Sequence, residues 1–138
     1  MNSRRPLLAH EVFKVIWMGE PDLISGIGPH LSQLPASVQT VRTHARLLEF
    51  MPASVSKGSA LATLASRLGI DRSEVVVFGD GENDIPMFEW ASASVAMPHG
   101  WAAAIREATW VAPEGPMDSA LARGVEMILG RVEAVSRD

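Results

Sequence analysis

The stretch Val75-Val76-Val77-Phe78-Gly79-Asp80-Gly81-Glu82-Asn83-Asp84 joins four consecutive apolar residues to a loop with three carboxylates in five positions. A strand with one wet face alternates apolar and polar side chains, whereas an unbroken β-branched run predicts a strand covered on both faces, as in a parallel sheet. Ile85 to Ala91 follows as a short helix that tolerates Pro86 in its first turn. Ser92 to Met97 then reads as a second buried strand. Strand, helix and strand in this order are the unit of a parallel sheet with helices on its faces. Ligands of such sheets gather at the carboxyl ends of the strands, where Asp80, Glu82 and Asp84 fall.

The same alternation extends in both directions. Upstream, Ser56 is placed to cap a helix with Leu61, Leu64 and Leu68 on one face, and Leu68-Gly69-Ile70 supplies its stop. Downstream, a short helix over Trp101 to Glu107, a strand over Thr109 to Ala112 and a helix from Met117 to Leu129 complete the pattern. Residues before Pro52 read differently. Val12 to Met18 is a strand ended by Gly19-Glu20-Pro21; Leu23, Ile24, Ile27, Leu31 and Leu34 predict a helix despite Gly26, Gly28 and Pro29; Val38 to Thr43 and Arg46 to Met51 are strands turning at His44-Ala45. The predicted fold class is therefore α/β. It comprises an α+β unit of order β-α-β-β over residues 1–50 and a Rossmann-like, three-layer parallel-sheet unit over 51–138.

Composition narrows the function. Of 138 residues 47% are hydrophobic, enough for a packed core, and the net charge is −4. Residues 51–138 carry seven basic against twelve acidic side chains, which argues against a nucleic-acid surface. No cysteine is present, so thiolate metal sites, disulfides and a cysteine nucleophile are unavailable. The first twenty residues open with Arg4 and Arg5, but His10, Glu11 and Lys14 interrupt any signal-peptide core, and no apolar run of about 18 residues exists to span a membrane. The expectation is a cytoplasmic protein without membrane or nucleic-acid partners.

Crowded carboxylates repel one another unless a cation sits among them, and hard oxygen ligands suit Mg²⁺. The plain alternative is a polar turn in which an Asp or Asn caps the next helix. An EF-hand numbered from Asp80 would need Gly where Ile85 stands and Glu where Ala91 stands; a dinucleotide fingerprint from Gly79 would need Gly where Asp84 stands. Both fail. Gly26-Ile27-Gly28 fails the second as well, because Leu31 occupies its third glycine position.

Ser56-Lys57-Gly58 at a helix start, then Gly79-Asp80-Gly81-Glu82-Asn83-Asp84-Ile85-Pro86-Met87-Phe88, then Val95-Ala96-Met97, resemble the haloacid dehalogenase (HAD) superfamily, in particular its Cof-type sugar-phosphatase branch. The resemblance runs through most of residues 46–129, and the preceding β-α-β-β unit resembles the closing portion of that branch's cap domain. It implies a Mg²⁺-dependent phosphatase of small phosphorylated metabolites. Lys57 matches the phosphate-facing lysine, Asp80 the direct metal ligand, and Asp84 a second acidic position that meets the metal directly or through water. Asn83 is expected to hydrogen-bond phosphate or the metal's ligand shell, and Glu82 to be solvated.

One departure bears on activity. The family's nucleophile lies in an Asp-x-Asp pair on an earlier core strand, and Asp22, Asp71, Asp80, Asp84, Asp118 and Asp138 include no such pair. The chain resembles the C-terminal half of such an enzyme and is expected to be inactive alone. The competing expectation is a non-catalytic, metal-binding or oligomeric HAD-like module. Pro98-His99-Gly100 stands where relatives commonly carry Gly-Asn-Ala, and His10, His30, His44 and His99 share no metal-ligand spacing. Because the resemblance sets the strand Val75 to Phe78 beside the missing nucleophile strand, an apolar edge is expected, and with it a homo-oligomer or an absent N-terminal half.

Overall fold

The computed structural model describes residues 12–135; Arg4, Arg5 and His10 lie outside the described residues. The chain divides into two compact units between Val55 and Ser56.

The first unit is a three-stranded antiparallel sheet, β1 (Val15–Met18), β2 (Val38–His44) and β3 (Leu47–Pro52), in the order β1-β3-β2. The hairpin turn falls at Ala45 and Arg46, one residue later than the sequence suggests, because His44 still pairs with Leu47 across a register shift. The single helix expected over Leu23 to Leu34 is two short ones, α1 (Pro21–Gly26) and α2 (Gly28–Leu31). Ile27 ends one and begins the other, where Gly26, Gly28 and Pro29 give the poorest helix-forming run of the segment. Ile24 and Leu48 form the unit's buried apolar residues. An apolar groove of about 430 Å³, lined by Phe13, Val15, Val38, Phe50 and Met51 among others, belongs wholly to this unit and contains none of the carboxylate-loop residues.

The second unit is a three-layer α/β structure. Its strands β4 (Val76–Gly79), β5 (Ala93–Ala96) and β6 (Trp110–Val111) are parallel and lie in that order. One face carries α3 (Lys57–Leu68), α4 (Ile85–Trp90) and α5 (Ala102–Glu107), with Val77, Phe88, Ala91, Ala96 and Ala104 as its core. The other carries α6 (Ala120–Val135) on Val95, Met97, Ala112 and Ala120. Alternate strand residues serve the two cores, which is why these strands read as continuous apolar runs. Ser94 and Thr109 are reciprocally bonded: Ser94 N donates to the Thr109 hydroxyl at 3.1 Å and Thr109 N to the Ser94 hydroxyl at 3.0 Å. That exchange satisfies Ser94, the one fully buried hydroxyl among the described residues of this sheet.

Local signals around α3 are read correctly from sequence. The Ser56 hydroxyl accepts from Ser59 N at 3.0 Å, Ser59 Oγ accepts from Ser56 N at 2.9 Å, and Gly69 closes the helix at φ 68°. Ser56→Ala should cost about 1 kcal/mol, measured as a lower urea midpoint at unchanged slope. The helix face differs from expectation. Gly58 and Ala65 are buried and Leu61 half-buried, while Leu64 and Leu68 are exposed. Helix α6 starts at Ala120 after a short 3₁₀ turn at Met117–Ser119 and runs to Val135, beyond the predicted Leu129. Arg123 pins its entry by donating to the carbonyls of Pro113 and Pro116, both at 2.9 Å.

Candidate active site

The carboxylate loop begins where β4 ends. Met97 N donates to Gly79 O at 2.9 Å, which ties the exits of β4 and β5 together, and Trp101 N donates to Asp80 O at 2.7 Å. A 3₁₀ turn over Glu82–Asp84 then leads into α4.

Asp84 is the buried centre of this loop, only 2% exposed. Its Oδ2 accepts from Asp80 N at 2.8 Å and from Gly81 N at 3.0 Å, and its Oδ1 accepts from the Lys57 ammonium. A buried carboxylate with three charge-assisted partners is stable where a bare one would not be. Lys57, the first residue of α3, is half exposed and keeps two N–H donors for a further acceptor. Asp80 differs in every respect. Its side chain is exposed, and among the described residues no donor reaches its carboxylate.

Three glycines make this geometry possible. A Cβ on Gly79 would sit 2.5 Å from the Asp84 carboxylate, and one on Gly100 would sit 2.9 Å from Asp80 O. A Cβ on Gly58 would sit 2.2 Å from Pro86 O, so only glycine lets α3 close on α4 and bring Lys57 to Asp84. From sequence, Gly58 and Gly100 stand only as members of longer motifs, with no packing role. Gly58 had a signal: a glycine in a helix costs about 1 kcal/mol against alanine, and that cost asks for a packing reason.

Of the residues singled out from sequence, Lys57, Asp80 and Asp84 thus meet in one place. Asn83 is beside them, its Oδ1 only 2.8 Å from where a Gly81 Cβ would stand. Glu82 is half-buried in the loop, and His99 is exposed. Asp84 has both oxygens engaged, so Asp80 is the loop's open oxygen donor. Among the described residues no three His, Asp or Glu side chains gather to enclose a cation.

A family model described as haloacid dehalogenase-like hydrolase matches residues 2–122. The chain belongs to that family. Within the HAD superfamily it is of the Cof type, with the Rossmann-like core such proteins share. It is 37% identical over 94 residues to an inferred phosphatase of Streptococcus pyogenes serotype M6, covering 65% of this chain and 34% of that protein. A solved structure from Thermotoga maritima is 32% identical, with TM-score 0.54 over 72% of this chain and 38% of its own. A HAD subclass IIB sugar phosphatase shares the fold at TM-score 0.71 and 20% identity, over 88% of this chain and 45% of that one. The chain therefore spans about a third of the curated relative's length and less than half of these structures. No helix among the described residues is long and apolar enough to cross a membrane.

Membership of this family implies a divalent cation, and the residues present fit one in part. The loop carries Asp80, Glu82 and Asp84 within five positions, and of these Asp84 alone pairs with the Lys57 ammonium. The open Asp80 carboxylate is a hard oxygen donor of the type Mg²⁺ takes, and Mg²⁺ retains several waters when the protein offers few ligands.

Proposed function

We propose that this chain is the metal- and phosphate-binding portion of a Mg²⁺-dependent phosphatase acting on small phosphorylated metabolites such as sugar phosphates. The observation that carries the reading is the Lys57–Asp84 ion pair at the carboxyl end of parallel strand β4, with Asp84 also holding the backbone amide of Asp80, whose own side chain is exposed. The subclass IIB fold neighbour is a sugar phosphatase, which supports the substrate class.

In this reading Asp80 is the protein's metal ligand. The cation, when bound, supplies charge neutralisation for a phosphoryl group. Asp84 holds the Lys57 ammonium over the loop and fixes the Asp80 and Gly81 amides, so the positive charge is positioned before substrate arrives. The two remaining Lys57 donors bond phosphoryl oxygens, and Asn83 offers its amide alongside. Neither residue is an in-line nucleophile. That group belongs to an Asp-x-Asp strand, absent from residues 1–138, so the chain by itself is inactive in this reading.

The metal step is testable alone. Calorimetric titration with Mg²⁺ should give weak, millimolar binding to the wild type, because one open carboxylate leaves most positions to water. Asp80→Ala should abolish the heat of binding. Identical titrations for the two proteins would count against the metal role.

A further inference from the structure

We propose, on the reading of Asp80 as the metal ligand, that the backbone amide of Trp101 is a positioning group for the Asp80 carboxylate. Cation binding at Asp80 and closure of the turn that follows β5 then stabilise one another.

An exposed carboxylate that no side chain holds is aimed by its own backbone alone. For Asp80 that backbone is fixed on both sides. Its N–H donates to Asp84 Oδ2 at 2.8 Å, and its carbonyl accepts from Trp101 N at 2.7 Å. The first partner belongs to the acidic loop itself. The second is supplied by the segment that leaves the neighbouring strand β5.

That segment is built to deliver the amide. Met97 N donates to Gly79 O at 2.9 Å, and Gly100 N donates to Met97 O at 2.9 Å, closing a β-turn over 97–100. Pro98 stands second in the turn and Gly100 fourth, the places these residues favour. A Cβ on Gly100 would lie 2.9 Å from Asp80 O and 3.1 Å from Asp80 Cα, so the glycine lets the turn rest against the Asp80 backbone. Met97 and Trp101 thus bracket Asp80, one bonding the carbonyl before it and the other its own.

Helix α5 depends on the same bond. Trp101 is its N-cap, a position that favours Ser, Thr, Asp or Asn, and makes no side-chain cap hydrogen bond. The start of α5 is therefore anchored on Asp80 O. Coupling between two sites is reciprocal, so what steadies Asp80 steadies the turn, and a steadier turn raises the cation affinity of Asp80 by the same factor.

Hydrogen exchange on the full chain reads this coupling. Saturation with Mg²⁺ should slow exchange of the Trp101 amide about fivefold, the scale of one backbone hydrogen bond, beyond any change at the Ala112 amide. Ala112 N bonds Ala96 O at 2.9 Å on the β6 side of the sheet and reports general stabilisation. Asp80→Ala should remove the excess protection. In calorimetric titration with Mg²⁺, Trp101→Pro should bind at least about fivefold more weakly than Trp101→Ala. Proline suits the φ of −67° at this position, but it has no N–H to donate and its ring presses on Asp80 O; alanine keeps the amide and loses the same indole. Equal affinities for these two variants, or equal slowing at Trp101 and Ala112, would overturn the proposal and leave Asp80 as the ligand. An Asp80→Ala titration identical to that of the wild type would instead remove the metal reading, and the proposal with it. Should Trp101→Pro fail to fold, the exchange comparison decides alone.

Discussion

Assayed by itself, the chain should release phosphate from para-nitrophenyl phosphate at background rate, with or without Mg²⁺. Phosphate-monoester hydrolysis is among the slowest uncatalysed reactions, so positioning charge is insufficient without a nucleophile and an acid for the leaving oxygen. Loss of the covalent group in a serine hydrolase removes about 10⁴ to 10⁶ in rate, and the same order is expected here. A segment bearing an apolar strand and Asp-x-Asp, fused or added as a separate chain, should restore turnover. The restored activity should then fall on Lys57→Ala and on Asp80→Ala. Robust Mg²⁺-dependent turnover by the unaided chain, lost on Asp80→Ala, would mean that a nucleophile resides within residues 1–138 and would sink the proposed division of labour.

The largest effect on stability is expected at Gly58. An alanine methyl there would lie 2.2 Å from Pro86 O and 2.6 Å from Pro86 C, both backbone atoms that no rotamer change can move. Overpacking typically costs about 1–3 kcal/mol and more where the neighbour cannot yield, so Gly58→Ala should lose about 3 kcal/mol in urea unfolding. Separation of α3 from α4 would also draw Lys57 away from Asp84, leaving a buried carboxylate short of its cation. Gly130→Ala supplies the opposite sign. On α6 the added Cβ meets nothing within 4 Å, and replacing a helical glycine there should stabilise by about 0.5–1 kcal/mol. Equal midpoints for Gly58→Ala and the wild type would show that α3 does not depend on this close approach.

Residues 1–138 themselves determine whatever depends on neighbours within a few positions. Val75 to Phe78 announces a strand buried between layers, Ser56 and Gly69 bracket α3 because capping and left-handed termination are local events, and the acidic loop falls at a strand's carboxyl end. The α/β class and the meeting of Lys57, Asp80 and Asp84 were legible on those grounds together with the family resemblance. Tertiary structure alone separates the two aspartates. Asp84 is sealed by an ammonium 27 positions away and by two amides of its own loop, while Asp80, four residues earlier, stays open. It alone turns Leu64 and Leu68 outward, since an apolar residue's spacing defines a helix face but not which face a neighbouring element covers. The break at Ile27 and the tight contacts of Gly58 and Gly100 have the same origin: each depends on an approach between segments distant in sequence or on the docking of short helices, and burial follows from those contacts and not from periodicity.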